Sequence, residues 1–143
     1  MKIRNILLSI VMVGLVGMVS TGCAKKSAKV GGKEKGLQSV YFDFDKSDVR
    51  SSETASLKGD AEWLKANGKV KAVIEGNCDE RGTPEYNIAL GDRRARSAKK
   101  YLGNLGVEAA RLSTVSFGEE KPAANCHDES CWSKNRRDDL KSK

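Results

Sequence analysis

GNCDERGTPEYNIALGDRRA, residues 76–95, carries a strand through a polar loop into a helix, and that passage decides the fold. Ala72 to Glu75 reads as a short strand ending at Gly76, and Asn77 to Thr83 is polar loop. Pro84 suits a first helical position and opens the longest helical pattern in the chain. Ile88, Ala95, Ala98, Leu102 and Leu105 recur at helical spacings, which predicts one buried stripe, and Asn104 and Gly106 suit its end. Upstream, Val40, Phe42 and Phe44 alternate with Tyr41 and Asp43, the period-2 pattern of a strand. Ser51 and Ser52 offer N-caps for a helix bearing Leu57, Ala61 and Leu64 and stopping at Asn67-Gly68. Downstream, Leu112 to Phe117 reads as a third strand closed by Gly118. Pro122 to Asp128 is loop, Glu129 to Arg137 helix, and Asp138 to Lys143 a short edge strand. The expected class is α+β: two layers in the order βαβαβ(α)β, with helices packed on one small mixed sheet.

The first 38 residues lie outside this pattern. Lys2 and Arg4 precede an apolar run from Ile6 to Val19. As a helix that run reaches only about 21 Å, short of a ~30 Å hydrocarbon core. Small residues follow, then Cys23, so residues 1–22 read as a secretory signal rather than a membrane span. The Cys directly after Thr-Gly resembles the bacterial lipoprotein signal, although Ser20 stands where a larger aliphatic residue is usual. That resemblance implies that Cys23 is acylated and held in outer-membrane lipid. Residues 23–38 form a Lys- and Gly-rich tether, and residues 39–143 the folded domain. Loss of residues 1–22 removes two of the positive charges and lowers the net charge from +7 to +5. An exported chain without an aromatic-interleaved basic stripe is not expected to bind nucleic acid.

YFDFDKSDVR at 41–50, the 76–95 stretch, FGEEKP at 117–122 and WSKNRR at 132–137 together resemble the OmpA C-terminal-like domain family, in particular its peptidoglycan-associated lipoproteins. The resemblance covers nearly all of residues 39–137. It implies a wall-binding domain anchored at the outer membrane with its domain in the periplasm, and not an enzyme. The implied partners are peptidoglycan and TolB, the propeller protein of the Tol system that acts in envelope integrity and division. Two departures stand out: Asn77 where the family usually has His, and Asp138-Asp139-Leu140-Lys141 where it usually has Ala or Val and a hydrophobic last strand.

The family ligand is the diaminopimelate of the peptide stem, whose free end carries an ammonium and a carboxylate on one carbon. By resemblance Asp79 takes the ammonium and Arg94 forks the carboxylate, which a planar guanidinium does better than a lysine. Asp45 is the second acidic ligand, and backbone N–H groups around Phe44 and Ser47 meet a stem carboxylate. Leu90, four residues before Arg94, shares its helical face and suits the ligand's methylene chain. Asn87 shapes the loop, and Arg137 is a further wall residue.

Cys126 and Cys131 are five apart and, in an oxidising compartment, are expected to form a local disulfide, leaving Cys78 as a buried thiol. The rival C-H-x-x-x-C metal site lacks a fourth ligand and matches no usual zinc spacing, so neither metal nor cofactor is expected. A cysteine hydrolase built on His127 lacks an orienting partner, and Glu119-Glu120 are chain neighbours rather than carboxylates flanking one bond. The remaining alternatives are a wall-binding lipoprotein without a Tol partner and, in another class, a cell-wall hydrolase.

Overall fold

A computed structural model describes residues 36–143; the signal segment, Cys23 and tether residues 23–35 lie outside the described residues. The order is β1 (Val40–Tyr41), α1 (Thr54–Ala66), β2 (Ala72–Asn77), α2 (Pro84–Asn104), β3 (Leu112–Gly118), α3 (Glu129–Asn135) and β4 (Arg137–Ser142). The four strands form one mixed sheet in the order β1-β4-β2-β3, with only β2 and β3 parallel. Among the described residues no helix is long and apolar enough to cross a membrane. The α+β, two-layer expectation holds.

Val40, Ala72, Ile74, Leu112 and Leu140 line the inner face of the sheet. They pack against Leu57, Ala61 and Leu64 of α1 and Ala95, Ala98 and Leu102 of α2. Leu37 joins this core from the tether side, and the Gln38 N–H donates to Asp60 (3.0 Å), so packing begins before the expected first residue, Ser39. Helix α2 lies against β2 with backbone touching backbone. A Cβ on Gly76 would overlap the Gly91 carbonyl, and one on Gly91 would come within 3.0 Å of the Gly76 carbonyl oxygen.

Five expectations need correction. Strand β1 stops at Tyr41 instead of running to Phe44, because its partner β4 begins at Arg137: the Phe42 N–H still reaches the Arg136 carbonyl (3.0 Å), and from Asp43 on the residues opposite belong to α3. Ser51 and Ser52 do not cap α1; a single 3-10 turn, Ser51–Glu53, precedes it, with Glu53 folded back to accept from the Tyr41 N–H (3.2 Å). Ile88 is 40% exposed, because the early turns of α2 bury Asn87, Leu90, Gly91 and Arg94 instead. Helix α3 ends at Asn135, two residues short of Arg137, where the chain enters β4.

The fifth concerns β4, which is not an edge strand. It lies between β1 and β2, pairing Val40 with Asp138 and Ile74 with Leu140. Its polarity follows from strand alternation. Leu140 and Asp138 turn inward, while Arg137, Asp139 and Lys141 form an outer face knit to its neighbours. Lys141 pairs with Glu75 (2.8 Å), Arg137 with Asp139 (2.9 Å), and Ser39 donates to Asp139 (2.7 Å).

Asp138 is fully buried, and neither carboxylate oxygen has a hydrogen-bond partner among the described residues. Burial pushes its pKa well above the usual carboxylate range, only partly offset by the Arg94 charge. A carboxyl group whose pKa is raised on folding destabilises the fold as pH climbs from its unfolded pKa through its folded one. Asp138→Ala should therefore raise the melting temperature at pH 7 by the equivalent of about 1–3 kcal/mol, with the gain disappearing near pH 4. Gly76→Ala should do the opposite, costing about 3 kcal/mol or more in a denaturant titration, because backbone cannot yield to the new methyl.

Candidate functional site

The end of β2, the loop after it and the first turns of α2 enclose a cavity of about 200 Å³. Phe44, Asp45, Asp79, Leu90, Asn87 and Arg94 all line it, together with Cys78, Arg81, Gly82 and Tyr86. It is smaller than the ~300–1,000 Å³ of sites for drug-sized ligands, and suits one amino-acid side chain better than a saccharide. Helix α2 is set at its rim by Pro84 and by Thr83, whose hydroxyl accepts from the Tyr86 N–H (3.2 Å).

Arg94 has no exposed surface. Its Nε donates to the Lys46 carbonyl (2.8 Å) and its Nη2 to the Asp43 carbonyl (3.1 Å). Its Nη1 donates to the Asn77 carbonyl (3.0 Å) and to the Cys78 sulfur (3.4 Å). A guanidinium has five N–H donors, so one Nη2 hydrogen remains. The expected fork is thus turned onto backbone: Arg94 ties the Asp43–Lys46 loop to the end of β2. What it can offer a carboxylate here is a single hydrogen bond.

Asp79 is 3% exposed and meets two guanidiniums. Arg81 donates to both its oxygens (3.2 and 2.7 Å) and Arg136 to Oδ2 (3.1 Å), while the Arg81 N–H adds a bond of 3.1 Å. Burial opposes ionisation, but the hydrogen bonds from Arg81 and Arg136 outweigh it and hold the pKa below the usual range. All the lone pairs of a carboxylate are engaged in this state. Arg136 is fixed in turn by the Phe42 carbonyl (3.0 Å) and by an ion pair with Glu129. Arg81 lies between two rings, 3.9 Å from Phe44 and 4.1 Å from Trp132, and keeps part of its edge open.

Asp45 sits on the opposite rim in a left-handed backbone conformation (φ 54°) and accepts from the Tyr86 hydroxyl. That bond raises the Tyr86 pKa. The N–H groups of Phe44 and Ser47 have no acceptor among the described residues; of the two residues only Phe44 lines the cavity. Asn87, 1% exposed, donates to the Asp79 and Arg81 carbonyls (3.3 Å each) and to Glu119 (2.6 Å), which makes it the brace of the 79–81 loop. Asn77 turns its amide onto the Glu75 carbonyl (2.9 Å) and is not among the lining residues.

Arg137 is not brought to the site. It bonds Asp139 and the Lys121 carbonyl on the outer face of the sheet, and its neighbour Arg136 reaches Asp79. Strand alternation carried the signal: Asp138 and Leu140 point inward, so Arg136 shares their side. Arg81 was missed as well, although it lies two residues after Asp79 in a tight loop. Nothing in the sequence marked Tyr86. Cys126 and Cys131 are disulfide-bonded (Cα–Cα 5.5 Å), and Cys78 is a buried thiol.

Residues 41–136 match the OmpA family, and the chain belongs to it. Relatives within it carry the name peptidoglycan-associated lipoprotein. The protein of that name from Haemophilus influenzae is 56% identical over 98 residues, covering 68% of this chain and 64% of its own length. The one from Mesorhizobium japonicum is 40% identical over 147 residues, covering 89% of this chain and 88% of that protein. The chain thus spans about two thirds of the Haemophilus protein's length. The crystal structure of the peptidoglycan-associated lipoprotein from Burkholderia pseudomallei superposes with a TM-score of 0.72 at 47% identity, covering 74% of this chain and 90% of that one. The C-terminal domain of Helicobacter pylori MotB shares the fold alone (TM-score 0.69, 19% identity, 76% and 86% coverage).

Burial pushes the Cys78 thiol up to about 11, against the pull of Arg94. Iodoacetamide at pH 8 should therefore leave Cys78 unlabelled in the native protein and label it fully after unfolding, as read by peptide mass mapping.

Proposed function

We propose that this chain is a non-catalytic lipoprotein that ties the outer membrane to the wall by binding the diaminopimelate end of the peptidoglycan stem. One observation carries the reading: a buried carboxylate, Asp79, is paired with a partly open guanidinium, Arg81, in a cavity the size of one amino-acid side chain. A zwitterion can replace that internal ion pair by exchange. The ligand's ammonium takes the place of Arg81 on Asp79, with Asp45 across the cavity. Its carboxylate takes the place of Asp79 on Arg81, with the remaining Arg94 hydrogen and the free N–H groups of Phe44 and Ser47. No charge is left unpaired on either side of the exchange, which keeps the desolvation cost low. Leu90 covers the methylene chain.

A hydrolase is disfavoured by the same geometry. Glu80 does supply His127 with the orienting carboxylate that the sequence did not show, but Cys126, the thiol that would be the nucleophile, is held in a disulfide, and Glu119 accepts from Asn87. Anchoring through acylated Cys23, and a TolB partner in a Tol–Pal system acting in division, follow from the likeness to the lipoproteins named above and belong to this proposal.

Titration of the folded protein with a diaminopimelate-containing stem peptide tests it. The exchange predicts saturable binding, at least tenfold weaker for Asp79→Asn, and at least tenfold weaker for the lysine-containing stem, which differs by the one carboxylate. A folded protein that binds neither peptide would falsify the wall-anchor reading and leave partner binding as the role of this surface.

A further inference from the structure

The loop presenting Asp79 is gripped from outside by a second loop, which is closed by the disulfide. His127 follows Cys126 and Trp132 follows Cys131, and both reach Glu80: His127 Nδ1 lies 2.8 Å from each of its oxygens, and Trp132 Nε1 donates to one (2.8 Å). The Trp132 ring also forms one wall of the stack around Arg81. The two residues after Asp79 in the chain are therefore both held by side chains at the ends of the disulfide loop.

Beyond the disulfide, the segment is tied mainly by the Glu129–Arg136 ion pair and by Asn135, which accepts from the Ala123 and Ala124 N–H groups (2.8 and 2.9 Å). Of residues 126–132 only Cys131 is buried. Helix α3 is seven residues long, too short to be stable by itself. Its first turn is set by Asp128, which accepts from the Ser130 N–H (2.8 Å), and by the Cys126 N–H on the Cys131 sulfur (3.1 Å). The bond closes a small ring, with its cysteines five apart, and entropic stapling of the unfolded chain falls as the ring shortens. Its effect is local: it keeps Trp132 and His127 against the 79–81 loop.

We infer that the Cys126–Cys131 loop is a redox-sensitive brace, with Trp132 and His127 as positioning residues that hold Arg81 and Glu80 in place for ligand exchange at Asp79. This rests on the cavity being the stem site. Opening the bond takes a dithiol of the thioredoxin class. One of its thiolates attacks Cys126, the less buried sulfur, and Cys131 leaves as a thiolate that is protonated. The second thiol resolves the mixed disulfide and frees Cys126. Two electrons and two protons pass to the pair, and the dithiol becomes a disulfide. Arg81 then loses one wall of its stack, and an arginine free to wander is a weaker partner for the incoming carboxylate.

The experiment equilibrates the full chain in detergent across mixtures of reduced and oxidised dithiothreitol. Thiol content is read by mass, affinity for a diaminopimelate tripeptide by calorimetry, and the Arg81 Nε–H resonance, shifted by its two rings, by NMR. Reduction should weaken binding roughly three- to tenfold, in step with thiol content, and move the Arg81 resonance toward its free value. Cys126→Ser with Cys131→Ser should reproduce the reduced state in oxidising buffer. Trp132→Ala should do so with the disulfide intact, and Trp132→Phe should restore most of the affinity. Equal or tighter binding by the reduced and double-serine proteins, with circular dichroism confirming the fold, overturns the brace. Failure of the oxidised wild type to bind defeats the reading of the cavity instead, and an Arg81 resonance indifferent to reduction then still overturns the brace.

Discussion

The Arg94 guanidinium is the joint on which the rest of the structure depends. A charge with no exposed surface has to be matched by polar groups, and here those groups are mainly main-chain carbonyls drawn from both sides of the cavity. Two come from the turn after β1 and one from the last residue of β2. One side chain thus ties the Asp43–Lys46 turn, which carries Asp45, to the end of β2. Its position follows from the close packing below it. Gly91, three residues earlier on α2, meets Gly76 backbone to backbone, so the helix sits low enough for Arg94 to reach the end of β2.

Above that joint the charges form a chain. Glu129 holds Arg136, Arg136 and Arg81 hold Asp79, and Glu80 accepts from Trp132 and contacts His127. The Glu80 pKa is lowered by the Trp132 bond first and by His127 next. Few of these links would be strong in water. They matter because the central members, Asp79 and Arg136, are almost wholly buried, where losing one partner leaves another uncompensated.

The order of strands and helices was legible because it rests on periodicity: the alternation before Asp43, the stripe from Ala95 to Leu102, and the Thr83-Pro84 start of α2. Asp79, Asp45, Leu90 and Arg94 were legible through the motif. What stayed hidden depended on partners distant in sequence. The early end of β1 follows from where its partner strand begins, at Arg137, nearly a hundred positions away. The backbone partners of Arg94 were not legible, since a motif names a side chain and not the atoms that it bonds. Arg136 and Arg137 exchanged places because β4 was read as a polar edge, and a polar interior strand is intelligible only once Glu75 and Lys141 are seen facing each other across the sheet. Ile88 fitted the helical period but not the wall toward which those turns face.

The placement of β4 has a consequence for how the domain comes into being. Because β4 lies between β1 and β2, β1 has no neighbour in the sheet until residues 137–142 arrive, and Tyr41 pairs with a residue 96 positions further along. The domain cannot close progressively from its N-terminal end. A partly emerged chain holds α1, β2, α2 and β3 as a fragment with one edge of β2 unpaired, and the carbonyl ligands of Arg94 are not yet gathered. Folding is deferred to the last strand, and the cavity exists only once residues 137–142 have joined the sheet.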